Sequence, residues 1–194
     1  MTNNPARCAW VTTDPLYQAY HDTEWGVPLH QDDRLFELLV LESAHAGLSW
    51  LTILKRRQAY RQHFADFRPE RVAAFSQPQI EALLQQPALI RNRKKMESAV
   101  RNARAFLAVA EDFGSFDTYL WQFVEGRPVI HHWASGDAVP PSTPLAERIS
   151  RDLKSRGFSF VGPTIIYAYL QASGVVMDHL TTCFRYPELN PTGQ

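Results

Sequence analysis

Two cysteines and two histidines stand near opposite ends of this 194-residue chain. Cys8 and His21 are separated by twelve residues, while His179 and Cys183 are spaced i and i+4. On a helix the second pair would share a face and could reach a single ion. Thiolate and imidazole are ligands that Zn2+ prefers, and four of them close a tetrahedral structural site with no position left for catalysis. Spacing alone leaves other fates open: free buried thiols, a disulfide, or ordinary histidines. The opening stretch Met1 to Ala9 is polar and lacks a signal-peptide pattern. A cytoplasmic location is therefore expected, which argues against the disulfide.

A second group with chemical potential is Glu42. Leu35, Leu38, Leu39 and Glu42 follow an i, i+3, i+4, i+7 pattern, which places the carboxylate on the stripe meant for the core. Desolvating a carboxylate costs several kcal/mol unless it gains partners, so such a residue belongs to a pocket or a hydrogen-bond network. Trp10, Tyr17, Tyr20, Trp25 and Trp50 collect nearby in sequence. A carboxylate among flat aromatic faces suits a planar, cationic, hydrogen-bond-donating ring. Taken singly, each aromatic also fits plain core packing.

Hydrophobic residues at 45% and charged ones at 21% are those of an ordinary globular chain. No apolar run reaches the roughly 18 residues of a membrane span. Formal net charge is zero, yet the charge is unevenly spread. Residues 1–54 carry two basic and seven acidic side chains, and residues 105–194 carry six and nine. Residues 55–104 carry twelve basic against four acidic, a basic middle of the kind that meets phosphates on one face. Within it Arg91, Arg93, Lys94 and Lys95 crowd a helix start, where the dipole disfavours cations unless an anion docks.

The elements that must position these groups read as helices. Asp32 and Asp33 cap a helix running through Ala46, and a second follows Gly47 with Trp50, Ile53 and Leu54 inward. Pro69 and Pro78 start short helices at 70–75 and 79–85. A long helix covers about 92–110, with Met96, Val100, Ala103, Phe106 and Leu107 on one stripe. An aromatic helix follows Gly114 through Trp121. A Gly/Pro-rich loop, with an extended piece at Val129-Ile130, precedes helices at 145–155, 161–173 and around His179 to Cys183. The pattern predicts an all-α protein.

Several motifs together carry a resemblance. Arg7-Cys8-Ala9-Trp10, Asp14-Pro15-Leu16-Tyr17, Tyr20-His21-Asp22-Thr23-Glu24-Trp25-Gly26, Leu41-Glu42-Ser43-Ala44-His45-Ala46-Gly47-Leu48-Ser49-Trp50, Ile90-Arg91-Asn92-Arg93 and Gly157-Phe158-Ser159-Phe160-Val161-Gly162 occur in order, followed by His179 and Cys183. This array resembles the 3-methyladenine DNA glycosylase I (Tag) family across nearly the whole chain. The resemblance implies a two-lobed helix-hairpin-helix glycosylase over residues 1–187. Residues about 30–110 would form the hairpin lobe, the two ends a zinc lobe, and 188–194 a loose tail. It implies a structural Zn2+ held by Cys8, His21, His179 and Cys183, and a pocket of Glu42, Tyr20, Trp25 and Trp50. Gly47 and Leu48 would fill the gap in the duplex, with Arg91, Arg93, Lys94 and Lys95 gripping its backbone.

The implied activity is excision of 3-methyladenine from double-stranded alkylated DNA by a monomer, leaving an abasic site. Glu42 would accept hydrogen bonds from the flipped base. With no compelling nucleophilic lysine, base excision without strand cleavage is expected. Two positions depart from the family pattern: His45 stands where glutamine is common, and Pro87-Ala88 where the hairpin usually opens with glycine. If that turn requires positive φ, alanine there is strained. Two other functions compete. A zinc-stapled nucleic-acid-binding module without chemistry leaves Glu42 idle, and a zinc hydrolase requires one proposed ligand to be water.

Overall fold

The computed structural model describes residues 5–190. Local chemistry sets most helix starts. Proline occupies the first turn of five helices, where its fixed φ fits and its missing N–H is no loss. The helices are α1 (Pro15–Thr23), α2 (Asp32–His45), α3 (Trp50–Leu54), α4 (Arg57–His63), α5 (Pro69–Ala73), α6 (Gln77–Leu84), α7 (Arg93–Phe113), α8 (Phe116–Trp121), α9 (Pro144–Ser155), α10 (Pro163–Ala172) and α11 (Arg185–Leu189). The chain is mostly helical, as the periodicity predicts.

Four features differ from the sequence reading. The residues around His179 and Cys183 are not helical: they form a loop and tight turn, in which Cys183 N–H donates to Leu180 O at 2.8 Å. This loop follows a two-residue strand β2 (Val176–Met177), paired in parallel with β1 (Val129–Ile130). The extended piece at Val129-Ile130 therefore has a partner that no alternation in the sequence signals. Asp32 does not cap its own helix. Its carboxylate accepts from Phe116 N–H and Asp117 N–H, both at 2.9 Å, and so caps α8. Finally, the expected tail overlaps α11, and Asn190 is buried; residues 191–194 lie outside the described ones.

Helix α2 runs through the core and is buried on every side from Leu35 to Ala44. It packs against α7 and α10. Glu42 is thus not the exception on an amphipathic helix, because α2 has no solvent-facing stripe over this length. The helix's second buried carboxylate, Glu37, lies about 1.4 turns earlier. The loop Gly157 to Gly162 joins α9 to α10 and closes over α2. Ser43 Oγ donates to Phe160 O at 3.2 Å, and Asn102 of α7 clamps Ser159 through bonds of 2.8 and 2.9 Å.

Candidate active site

The N-terminal loop, α1, α2 and α3 bring the aromatic residues around the free end of Glu42. They line a cavity of about 560 Å³ that includes Trp10, Tyr17, Tyr20, Trp25, Glu42 and Trp50. Tyr20 and Trp50 lie 5.5 Å apart between ring centroids, and Trp10 sits 5.0 Å from both Tyr17 and Trp25. Asp14 anchors the start of α1 twice. Its carboxylate accepts from Leu16 N–H at 3.0 Å and pairs with Lys55 at 2.8 Å, tying α1 to the end of α3.

Glu42 is 3% exposed. Among the described residues its side-chain hydrogen-bond partner is His45 Nδ1, 3.2 Å from Oε2. Burial lifts its carboxyl above the ordinary range, and His45 offsets this only in part. Glu37 on the same helix makes an instructive contrast. Burial raises it too, but Arg61 and Arg57 donate to it at 2.8–2.9 Å and hold it below the ordinary range. Arg57 also bonds Glu24, so Glu37 belongs to a network joining α4, α2 and the residue after α1. One carboxylate is fully neutralised by the protein. The other is desolvated, lacks an arginine or lysine partner and faces a cavity.

A second cluster lies behind the pocket wall. Cys8, His21, His179 and Cys183 are all buried, and their ligand atoms lie within 4.8 Å of one another. Both cysteines are free. His179 Nδ1 is 3.6 Å from Cys8 Sγ and 3.5 Å from Cys183 Sγ, and His21 Nε2 is 3.5 Å from Cys183 Sγ. The outer ring nitrogens are engaged. His179 Nε2 faces the Trp25 carbonyl at 2.9 Å, which only accepts, so this nitrogen carries the proton and Nδ1 presents its lone pair to the sulfurs. His21 Nδ1 faces Asp22 at 2.8 Å, and Arg7 grips the same carboxylate through bonds of 2.7–3.1 Å. This Cys₂His₂ set with oriented imidazoles could hold a metal ion. It requires no helix: the loop after β2 brings both C-terminal ligands in, and Phe184 N–H donates to Ala6 O at 2.9 Å beside them.

The basic residues divide. Arg91 and Lys94 are exposed. Arg93 is held by Glu81 of α6, with Nη2 2.7 Å from Oε2. Lys95 is turned inward: its Nζ donates to Ala44 O at 2.8 Å and Ala46 O at 2.6 Å, so it caps the C-terminal end of α2. The crowding of cations at the start of α7 thus has an internal explanation for Lys95 and Arg93. Ala88 is not among the positive-φ residues, so the strain expected there does not arise. Gly47 does take positive φ, +81°, beside Leu48, which is 40% exposed.

Sequence reasoning assigned no role to Asp178, which also lines the cavity. Its carboxylate accepts from His131 Nδ1 at 2.6 Å, Trp133 Nε1 at 2.9 Å and Gln171 Nε2 at 2.7 Å, and from the Tyr167 hydroxyl. Despite burial, these donors keep it below the ordinary carboxylate range. Its partners come from distant segments, so no local signal marks it.

Comparison with known proteins agrees with this architecture. Residues 10–186 match the model of the methyladenine glycosylase family. The chain is 44% identical to DNA-3-methyladenine glycosylase 1 of Escherichia coli (strain K12), over 95% of this chain and 99% of that one. A crystal structure of 3-methyladenine DNA glycosylase I (TAG) superposes with a TM-score of 0.91 at 49% identity, covering 94% of this chain and 100% of that one. A structure addressing 3-methyladenine recognition by the Staphylococcus aureus enzyme gives 0.90 at 41% identity, with 93% and 96% covered. A buried carboxylate in an aromatic cavity and near-complete likeness in sequence and fold lead to one assignment: the chain belongs to the methyladenine glycosylase family.

Proposed function

We propose that this protein flips 3-methyladenine out of double-stranded alkylated DNA and hydrolyses its N-glycosylic bond, leaving an abasic site. The observation that carries this reading is Glu42: a buried carboxylate without an arginine or lysine partner, at the end of an aromatic cavity. Adenine methylated at N3 is cationic, so the base departs as a neutral molecule without being protonated. The bond between C1′ and the base nitrogen breaks, its electron pair leaves with the base, and water adds at C1′ with loss of a proton. Glu42 accepts hydrogen bonds from the base edge and favours its positive charge. Tyr20, Trp25 and Trp50, with Trp10 and Tyr17 beside them, supply flat faces, and a cation over such a face gains about 0.5–2 kcal/mol. No lysine lines the cavity among the described residues, which supports excision without strand cleavage.

We further assign α6, the turn after it and the start of α7 as the DNA-gripping hairpin. Arg91 and Lys94 are its phosphate contacts, and Leu48 on the Gly47 turn fills the space vacated by the base. Cys8, His21, His179 and Cys183 suit a structural Zn2+: tetrahedral bonds of about 2.3 Å to sulfur and 2.0–2.1 Å to nitrogen put S and N roughly 3.5–3.6 Å apart. Three sulfur–nitrogen separations, at 3.5–3.6 Å, fit that ion. Its part is to clasp the two ends of the chain.

The test is release of free 3-methyladenine from alkylated duplex DNA by wild type, Glu42→Gln and Trp50→Ala. Wild type should release the base and both variants should lose most of that activity. No release by wild type above background would overturn the proposal.

A further inference from the structure

Among the described residues His45 makes the side-chain hydrogen bond to Glu42, and it also lines the cavity. Its ring lies edge-on to Trp50, with centroids 5.5 Å apart and planes at 67°, and its side chain is 31% exposed. Resting on the excision reading above, we propose that His45 sets the charge selectivity of the pocket: neutral, it leaves Glu42's negative charge for a cationic base, and protonated, it cancels that charge.

The argument is one of valence. An ionised carboxylate only accepts hydrogen bonds, so His45 Nδ1, 3.2 Å from Oε2, carries its proton in either state. Titration therefore occurs at Nε2 and changes the charge without breaking the bond to Glu42. A neutral His45 orients the carboxylate as a donor and the pocket keeps one net negative charge. An imidazolium forms an ion pair with Glu42 in a desolvated site, and a base with fixed positive charge then meets a neutralised pair.

The groups around His45 leave it this role. From α7, Lys95 is committed to the Ala44 and Ala46 carbonyls that flank His45. From α3 comes Trp50, which does not titrate in this range. From α1, Tyr17 and Tyr20 both sense Glu42, and burial first, then that charge, keeps their hydroxyls protonated. Asp178 across the cavity is saturated by its own donors.

The experiment is single-turnover excision of 3-methyladenine from alkylated duplex with saturating full-length protein, from pH 5.5 to 7.5. It is paired with an NMR titration of the His45 ring in the free protein. Wild type should lose rate several-fold from pH 7.5 to 5.5, in step with protonation of the His45 ring. The kinetic midpoint should match the NMR midpoint. His45→Asn keeps a neutral donor near the Nδ1 position and has no ring to protonate, so the acid limb that follows the His45 NMR midpoint should be lost. A wild-type profile flat to pH 5.5, or midpoints that differ by a full unit, overturns the proposal even if His45→Asn fails to fold. An unchanged acid limb in a folded His45→Asn does the same. Absence of excision at every pH instead overturns the underlying glycosylase reading.

Discussion

His179 Nε2 donates to the Trp25 carbonyl at 2.9 Å, and the two rings meet edge-on with centroids 4.6 Å apart. Through this pair the Cys₂His₂ cluster and the wall of the cavity share a hydrogen bond. Cys8, a member of the cluster, and Leu180, next to His179, also line the cavity. The cluster is thus tied directly to the pocket wall. Gly26, next to Trp25, has no room for a side chain: a Cβ there would stand 3.0 Å from the His179 ring.

Removing the metal should loosen the pocket wall before it unfolds the rest. Elemental analysis of freshly purified protein should give about one zinc per chain. Cys183→Ala should lose the metal and melt at least about 10 °C lower, since a structural zinc supplies folding free energy directly. Well under one zinc in the wild type would sink the clasp.

Glu42 and Glu37 should separate function from stability. Glu42→Gln is expected to lower excision by about a hundredfold or more while the protein stays folded, the loss being one of transition-state and base binding. Glu37→Gln removes the buried negative charge that pairs with Arg57 and Arg61 and should cost about 3–5 kcal/mol in denaturant unfolding. Its excision rate per folded molecule should change little. Equal effects of the two substitutions on activity would contradict this division.

The pH dependence of stability follows from the direction of each shift. Glu42's folded carboxyl is raised by burial, so its contribution is fully present below the ordinary value of 4.5 and is lost as pH rises through the folded value. Glu42→Gln removes that cost, so it should be more stable than wild type at pH 7, with the advantage shrinking toward pH 4.5. Glu37 has the opposite sign: its contribution is present above 4.5 and fades as pH falls through its depressed folded value. Urea midpoints of Glu42→Gln and wild type at pH 4.5, 6 and 7.5, and of Glu37→Gln and wild type at pH 3 and 6, decide the matter.

Neighbouring lysines at the start of α7 should behave differently. Lys95→Ala removes the donor to the α2 carbonyls and should cost about 1–3 kcal/mol of stability. Arg91→Ala and Lys94→Ala should leave the melting temperature nearly unchanged. Each should weaken binding to duplexes of any sequence and reduce the salt slope of that binding by about one. A salt slope indifferent to both would remove the hairpin's proposed DNA contacts.

Much of this protein was legible one residue at a time. First-turn prolines, the long stripe of α7 and the dearth of alternation specify a helical chain, because helix propensity and periodicity are local properties. The carboxylate at Glu42, its aromatic company and the Cys/His set are likewise visible as residue types in a motif array. Tertiary structure decided what those types do. Glu37 and Glu42 are both buried acids on one helix, and the arginines that arrive from α4 neutralise one and leave the other facing a cavity. Lys95 reads as a phosphate contact until the end of α2 takes its ammonium. His179 and Cys183 meet through a loop anchored by a strand pair whose partners lie 47 residues apart. Charge, unlike helix periodicity, is settled by neighbours remote in the chain: the free energy of a buried ion depends on which partners the fold delivers within a few ångströms.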